Sequence, residues 1–255
     1  MKFISSGRVA LVTGANKGVG RAIAQQLGEL GMTVWLGARD PDRGLQAERE
    51  LREARIDARH VALDVTDEAS ARLAAKHIED QSGRLDVLVN CAGITRPWHP
   101  PSQTPLEDLQ ATFATNVCGV VTVTNAVLPL LRLSNAARIV NVSSVLGSLT
   151  AAVENHDPSG CFPDGQFPVL LSYSTSKAAL NSLTVMYANE LRGDGILVNA
   201  VAPGWVPTDA TGHTGAFSLE QGAQMPVRMA TLDDGGPTGT YTSSTADEEG
   251  VTLPW

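Results

Sequence analysis

Cysteine is scarce: Cys91, Cys118 and Cys161 are the only three in 255 residues, with no C-x-x-C pair among them. So small and odd a set argues against a disulfide framework and fits reduced thiols in a cytoplasmic protein. The histidines, His60, His77, His99, His156 and His213, show no ligand spacing, so no metal is expected. Positive charge is also short. Nineteen Lys and Arg stand against 27 Asp and Glu, a net charge of −8, which argues against a nucleic-acid partner. No apolar run approaches the length of a membrane span, and Met1 to Arg8 lacks the apolar core of a signal peptide, so no membrane partner is expected. There is no internal repeat and no linker.

What is present is the composition of a globular chain, 43% hydrophobic and 18% charged, of a length suited to one α/β domain over 1–255. Short apolar runs alternate with helical-period segments. Val9 to Val12 precedes a stretch with Val19, Ile23, Leu27 and Leu30 on one helical face. Further runs follow at Thr33 to Leu36, Ala58 to Leu63, Leu85 to Asn90, Arg138 to Val142 and Ile196 to Val201. Nearly continuous apolar strands separated by crossover-length segments predict a doubly wound parallel sheet, a Rossmann fold. Two stretches break the rhythm. Residues 147–171 hold three prolines and little helical period, and are expected to form a long loop insertion; residues 203–224, rich in Gly, Thr and Pro, follow a strand and are expected to form a substrate loop.

After the first strand comes Thr13-Gly14-Ala15-Asn16-Lys17-Gly18-Val19-Gly20, a G-x3-G-x-G turn in place of the G-x-G-x-x-G fingerprint. Its glycines still permit a tight turn, a close approach to a pyrophosphate and a helix N-terminus that favours anions. Gly14, Asn16, Lys17, Gly18, Val19 and Gly20 are therefore candidate cofactor residues. Where the second strand ends, a dinucleotide fold places an acid on the adenosine ribose; here stand Ala38 and then Arg39, which can pair with a 2′-phosphate. NADP(H) is the expected cofactor, the alternative being that Asp40 binds the ribose and Arg39 is an ordinary surface residue. Asp64 could meet the adenine, and Asn90, Ala92 and Gly93 would lie beside the ribose.

Tyr173 and Lys177 are four apart, so on a helix they share a face, and an ammonium near a phenol is expected to lower its pKa from about 10. Such a tyrosine can give a proton to a carbonyl oxygen while hydride reaches the carbon. Trp98 and Trp205 are candidate substrate walls, with simple packing as the alternative.

TGANKGVG, LDV at Asp64, NCAG at Asn90, TNVCG around Asn116, VNVSS ending at Ser144, YSTSK at Tyr173 to Lys177, and PGWVPTD at Pro203 to Asp209 stand in one order along the chain. Together they resemble the short-chain dehydrogenase/reductase family, and the Asn-Lys of the glycine turn, GARD at the second strand and the insertion before Tyr173 look most like its carbonyl-reductase branch. Cys91 departs from the second asparagine found in many members. The resemblance implies a catalytic set of Asn116, Ser144, Tyr173 and Lys177: Ser144 holding the carbonyl oxygen, Asn116 binding a relay water, Lys177 also holding the nicotinamide ribose. It also implies cofactor contacts from Val65, Pro203, Gly204, Val206 and Thr208. The expected activity is NADPH-dependent reduction of a ketone or aldehyde. The alternatives are an alcohol dehydrogenase working in the oxidation direction and a non-catalytic dinucleotide sensor. A small-molecule substrate is the expected partner; monomer and homodimer both stand.

Overall fold

Val9–Thr13 forms β1 and is buried along its whole length, as a strand covered on both faces must be. It pairs in parallel with β2 (Thr33–Ala38) on one side and β4 (Val87–Asn90) on the other. β3 (Ala58–Ala62) lies beyond β2, while β5 (Arg138–Val142) and β6 (Leu197–Ala202) lie beyond β4, all parallel. The sheet order is β3-β2-β1-β4-β5-β6-β7-β8, with β7 (Tyr241–Ser243) parallel to β6 and β8 (Val251–Thr252) antiparallel to β7. The structure, a computed structural model, describes residues 7–245 and 250–255. From β1 the chain first builds toward β3 and then returns to add β4 on the opposite side. A crevice therefore opens at the carboxyl ends of β1 and β4, where sheets of this kind bind ligands.

Alternation along β1 divides the core in two. Ala10 and Val12 face α1 (Gly18–Glu29), α2 (Pro41–Glu53) and α8 (Leu219–Ala230), whereas Val9 and Leu11 face α3 (Glu68–Ser82), α5 (Gly119–Leu131) and α7 (Leu171–Glu190). A third, smaller cluster joins Val145, Leu146 and Leu170 to Tyr241 and Leu253, with Phe162, Phe167 and Tyr173 against it.

Several expectations need correction. The insertion is not wholly loop: Leu149–Glu154 forms α6, started by the Ser148 hydroxyl accepting from Ala151 N at 3.1 Å and stopped by left-handed Asn155. Six residues are too few for an apolar period to register. The stretch from Pro203 likewise becomes helical at Leu219, because Ser218 and Gln221 cap each other reciprocally. β7 and β8 were not anticipated; both are too short to show alternation. Finally, α4 (Leu106–Phe113) runs unbroken into α5, and this 26-residue stretch, whose most apolar window has a mean hydropathy of 1.5, is by length and composition enough to cross a bilayer. Thr112, Asn116 and Thr124 interrupt its apolar run in sequence and hide that length; half of its most apolar window is buried in the fold.

Candidate active site

β5 ends at Val142, and the next two side chains turn opposite ways, as they must near a strand end. The Ser143 hydroxyl donates to Asn181 Oδ1 at 2.6 Å inside the core, while the Ser144 hydroxyl accepts from Leu146 N at 3.3 Å and lies near the Tyr173 hydroxyl. Tyr173 sits in the first turn of α7 and Lys177 in the next, on the same face. Lys177 is buried, its Nζ donating to Val142 O at 2.8 Å and lying 5.5 Å from the centre of the Tyr173 ring.

Asn116 occupies a π-helical segment, Ala114–Cys118, between α4 and α5. Such one-turn widenings often mark functional sites. Its Nδ2 donates to Ile94 O at 3.0 Å and Ser176 Oγ at 3.1 Å, and its Oδ1 accepts from Ile94 N at 2.9 Å. A methyl group on Gly93 would lie 3.4 Å from this Oδ1 and 3.8 Å from Lys177 Nζ. The absent side chain thus leaves Gly93 between the Asn116 amide and the ammonium with nothing but backbone there.

The expected lowering of the Tyr173 pKa does not hold. Burial pushes the phenol up to about 12, the Ser144 hydroxyl pulling only weakly the other way, and burial pushes Lys177 down to about 8. The reason is geometric: Nζ points at the Val142 carbonyl, beside the ring and not at the hydroxyl. Burial also raises the neighbouring Cys91 thiol to about 11, so it stays neutral.

The glycine turn lies against the end of β4. Gly14 has φ +67°, and a Cβ there would come within 2.9 Å of Ala92 Cα, so only glycine serves. Thr13 Oγ1 accepts from both Cys91 N and Ala92 N at 2.9 Å, which fixes the NCAG backbone beside the turn. α1 begins at Gly18 with no side-chain cap, so its first amides are not engaged by a capping side chain. Lys17 forms an ion pair with Asp209, and Gly18 lies beside Thr208, so the first βα turn meets the loop after β6. Asp40 is engaged as the cap of α2, accepting from Asp42 N at 3.0 Å and Arg43 N at 3.2 Å, and it pairs with Arg43 at 3.3 Å. Arg39 is exposed and near Asp64, whose carboxyl, despite burial, is held low by the Thr66 hydroxyl and amide and by Arg39. The Asn90 amide donates to Thr124 Oγ1 and Asn141 Oδ1 inside the core, leaving its backbone as the part nearest the crevice. Val65 packs against Gly119, and Val206 is buried against Gly222.

A small recess adjoins Ser144, walled by Ser159, Cys161 and Phe162 from the insertion and by Pro203, Gly204 and Trp205 from the loop after β6. The insertion is shaped by buried Asp157, whose carboxylate accepts from Ser159 N, Ser159 Oγ and Phe162 N. A second small recess is lined by Tyr173 together with Arg96 and His99. Trp98 lines neither and is 58% exposed. Sequence reasoning missed two residues close to the site, Asn181 and Tyr241, while Phe162 and Phe167 were expected to bury apolar area against a ligand or the domain. Only Asn181 carried a signal, its place one helical turn after Lys177.

Residues 8–156 match the family model described as short chain dehydrogenase, and residues 164–235 match one described as Enoyl-(Acyl carrier protein) reductase. The chain is 33% identical to the human carbonyl reductase [NADPH] 1, over 96% of this chain and 100% of that one. It is also 33% identical to (-)-isopiperitenone reductase from Mentha piperita, over 92% and 95% of the two chains. The solved NADPH-bound carbonyl reductase from chicken fatty liver superimposes with a TM-score of 0.83 at 29% identity, over 97% of this chain and 99% of that one.

Proposed function

The chain belongs to the short-chain dehydrogenase/reductase family of oxidoreductases, and on that premise we propose that it is an NADPH-dependent reductase of an apolar ketone or aldehyde with Tyr173 as proton donor. The observation that carries this reading is the convergence of the Ser144 hydroxyl and the Tyr173 phenol beside buried Lys177.

The residues present fit the cofactor. Gly14, Gly18 and Gly20 with the uncapped start of α1 suit a pyrophosphate. With Asp40 already engaged as a helix cap, exposed Arg39 is the residue free to meet a 2′-phosphate. Asp64 and Val65 would border the adenine, Ala92, Gly93 and the Asn90 backbone the ribose, and Pro203, Gly204, Val206 and Thr208 the nicotinamide end. When bound, NADPH supplies the hydride. Tyr173, kept protonated by its raised pKa, gives its proton to the carbonyl oxygen, and Ser144 steadies that oxygen by a hydrogen bond as charge develops. Lys177 would hold the nicotinamide ribose, and Asn116 would hold a water that relays a proton past Lys177 toward Tyr173.

The recess beside Ser144 has Phe162 and Trp205 as walls, which supports an apolar substrate with a flat or ring-shaped face. The test is a turnover screen with NADPH and NADH against cyclic, aromatic and small aliphatic ketones. NADPH-selective oxidation with the ring ketones is expected. Tight NADPH binding without turnover of any of them would mean a cofactor-sensing protein instead.

A further inference from the structure

Ser144 lies beyond the end of β5, and its hydroxyl can serve a reacting carbonyl only if the backbone that carries it is fixed. The polar groups around it form a closed set. Ser144 O accepts from two donors, Gly147 N at 2.8 Å and the hydroxyl of Tyr241. Gly147 O in turn accepts from Asn181 Nδ2 at 3.2 Å, and Asn181 Oδ1 accepts from Ser143 Oγ at 2.6 Å. The Tyr241 hydroxyl also lies near the Asn181 and Ser143 side chains. Residues 143–147 are therefore stapled by two side chains, one from α7 and one from β7.

Both are well placed to hold a fixed position. Asn181 is 3% exposed and follows Tyr173 and Lys177 at i+8 and i+4, so the serine turn is referenced to the helix face that bears the proton donor. Tyr241 is 1% exposed and stacks on Trp255, centroids 5.4 Å apart and planes at 22°. The turn itself rests on α7: a Cβ on Gly147 would come within 2.8 Å of the Lys177 carbonyl carbon. Neither Asn181 nor Tyr241 is needed to hold a cofactor, and neither lines the recess beside Ser144.

We infer that Asn181 and Tyr241 are positioning residues that act through Ser144, holding its hydroxyl in register with Tyr173. Their effect rests on the role proposed for Ser144. A hydrogen bond to a developing oxyanion is sensitive to placement, and a displacement of about 1 Å can cost on the order of a hundredfold in rate.

The experiment is a double-mutant cycle on kcat with the full-length enzyme, a reducible ring ketone and NADPH. Tyr241→Phe removes one oxygen and keeps the stacked ring; it is expected to lower kcat about tenfold with NADPH affinity unchanged, and Asn181→Ala to do the same. In a Ser144→Ala background either change should lower kcat less than twofold further, since the group being positioned is gone. Equal losses in both backgrounds, or a fall in melting temperature with kcat intact, would overturn the inference. Should Asn181→Ala fail to fold, Tyr241→Phe carries the cycle alone. Wild-type kcat in Ser144→Ala itself would overturn the serine assignment, and is thereby distinguishable from a failure of the staple.

Discussion

Phe162 and Trp205 meet edge to face, ring centroids 5.1 Å apart and planes at 71°, although one comes from the insertion before α7 and the other from the loop after β6. Phe167 extends the contact, 6.2 Å from Phe162. Aromatic pairs of this kind add about 0.5–1.5 kcal/mol beyond area burial, enough to hold two loops together as one wall. That wall borders the recess beside Ser144.

Phe162→Ala is accordingly expected to lower kcat/KM for ring-bearing ketones about tenfold, equivalent to about 1.4 kcal/mol of lost contact, and to leave a small aliphatic ketone within twofold. Steady-state kinetics on the two substrates check this. Equal losses for both would mean the insertion holds the reacting centre and not the substrate.

Tyr173→Phe deletes the transferable proton and keeps the ring. Turnover is expected to fall more than tenfold while NADPH binding, followed by fluorescence titration, stays within about twofold. Retention of more than a tenth of wild-type kcat would remove Tyr173 from its role.

Arg39→Asp places a carboxylate where the 2′-phosphate partner stood. NADPH affinity is expected to drop by about 1.5–3 kcal/mol, the range for a hydrogen bond to a charged group, with NADH little changed. Parallel shifts in both dissociation constants would restore Asp40, the cap of α2, as the ribose ligand.

The pH profile follows from the two buried groups. Tyr173, raised to about 12, remains an acid across the working range, whereas Lys177, lowered to about 8, is a cation below that pH and neutral above it. kcat/KM for NADPH, which reports groups of the free enzyme, is expected to fall with a midpoint near pH 8 as the ammonium is lost. Lys177→Arg keeps its charge and should abolish that descending limb, even at a lower overall rate. A limb that survives the substitution belongs to another group.

Much of this arrangement was legible in the linear chain. Six strand runs announced themselves as apolar stretches because both faces of the sheet are covered, and the glycine turn and the paired serines fell at the carboxyl ends of those runs. α7 was harder to read from periodicity. Its buried stripe carries Ser172, Ser176, Lys177, Asn181 and Thr184, polar groups satisfied by neighbours that only folding supplies, so it has almost no apolar face to recognise.

The positions of six strands along the chain, the glycine turn and the spacing of Tyr173 to Lys177 were determined by the sequence alone, because each depends on local periodicity or on neighbours within one helical turn. Tertiary structure decided the rest. The Tyr173 and Lys177 pKa values moved in directions set by burial, and Asp40 was engaged in capping α2. Phe162 met Trp205, and Tyr241 met Ser144, across contacts between distant segments that carry no local signal, since a side chain's partner in a packed core is fixed by the fold and not by its neighbours in the chain.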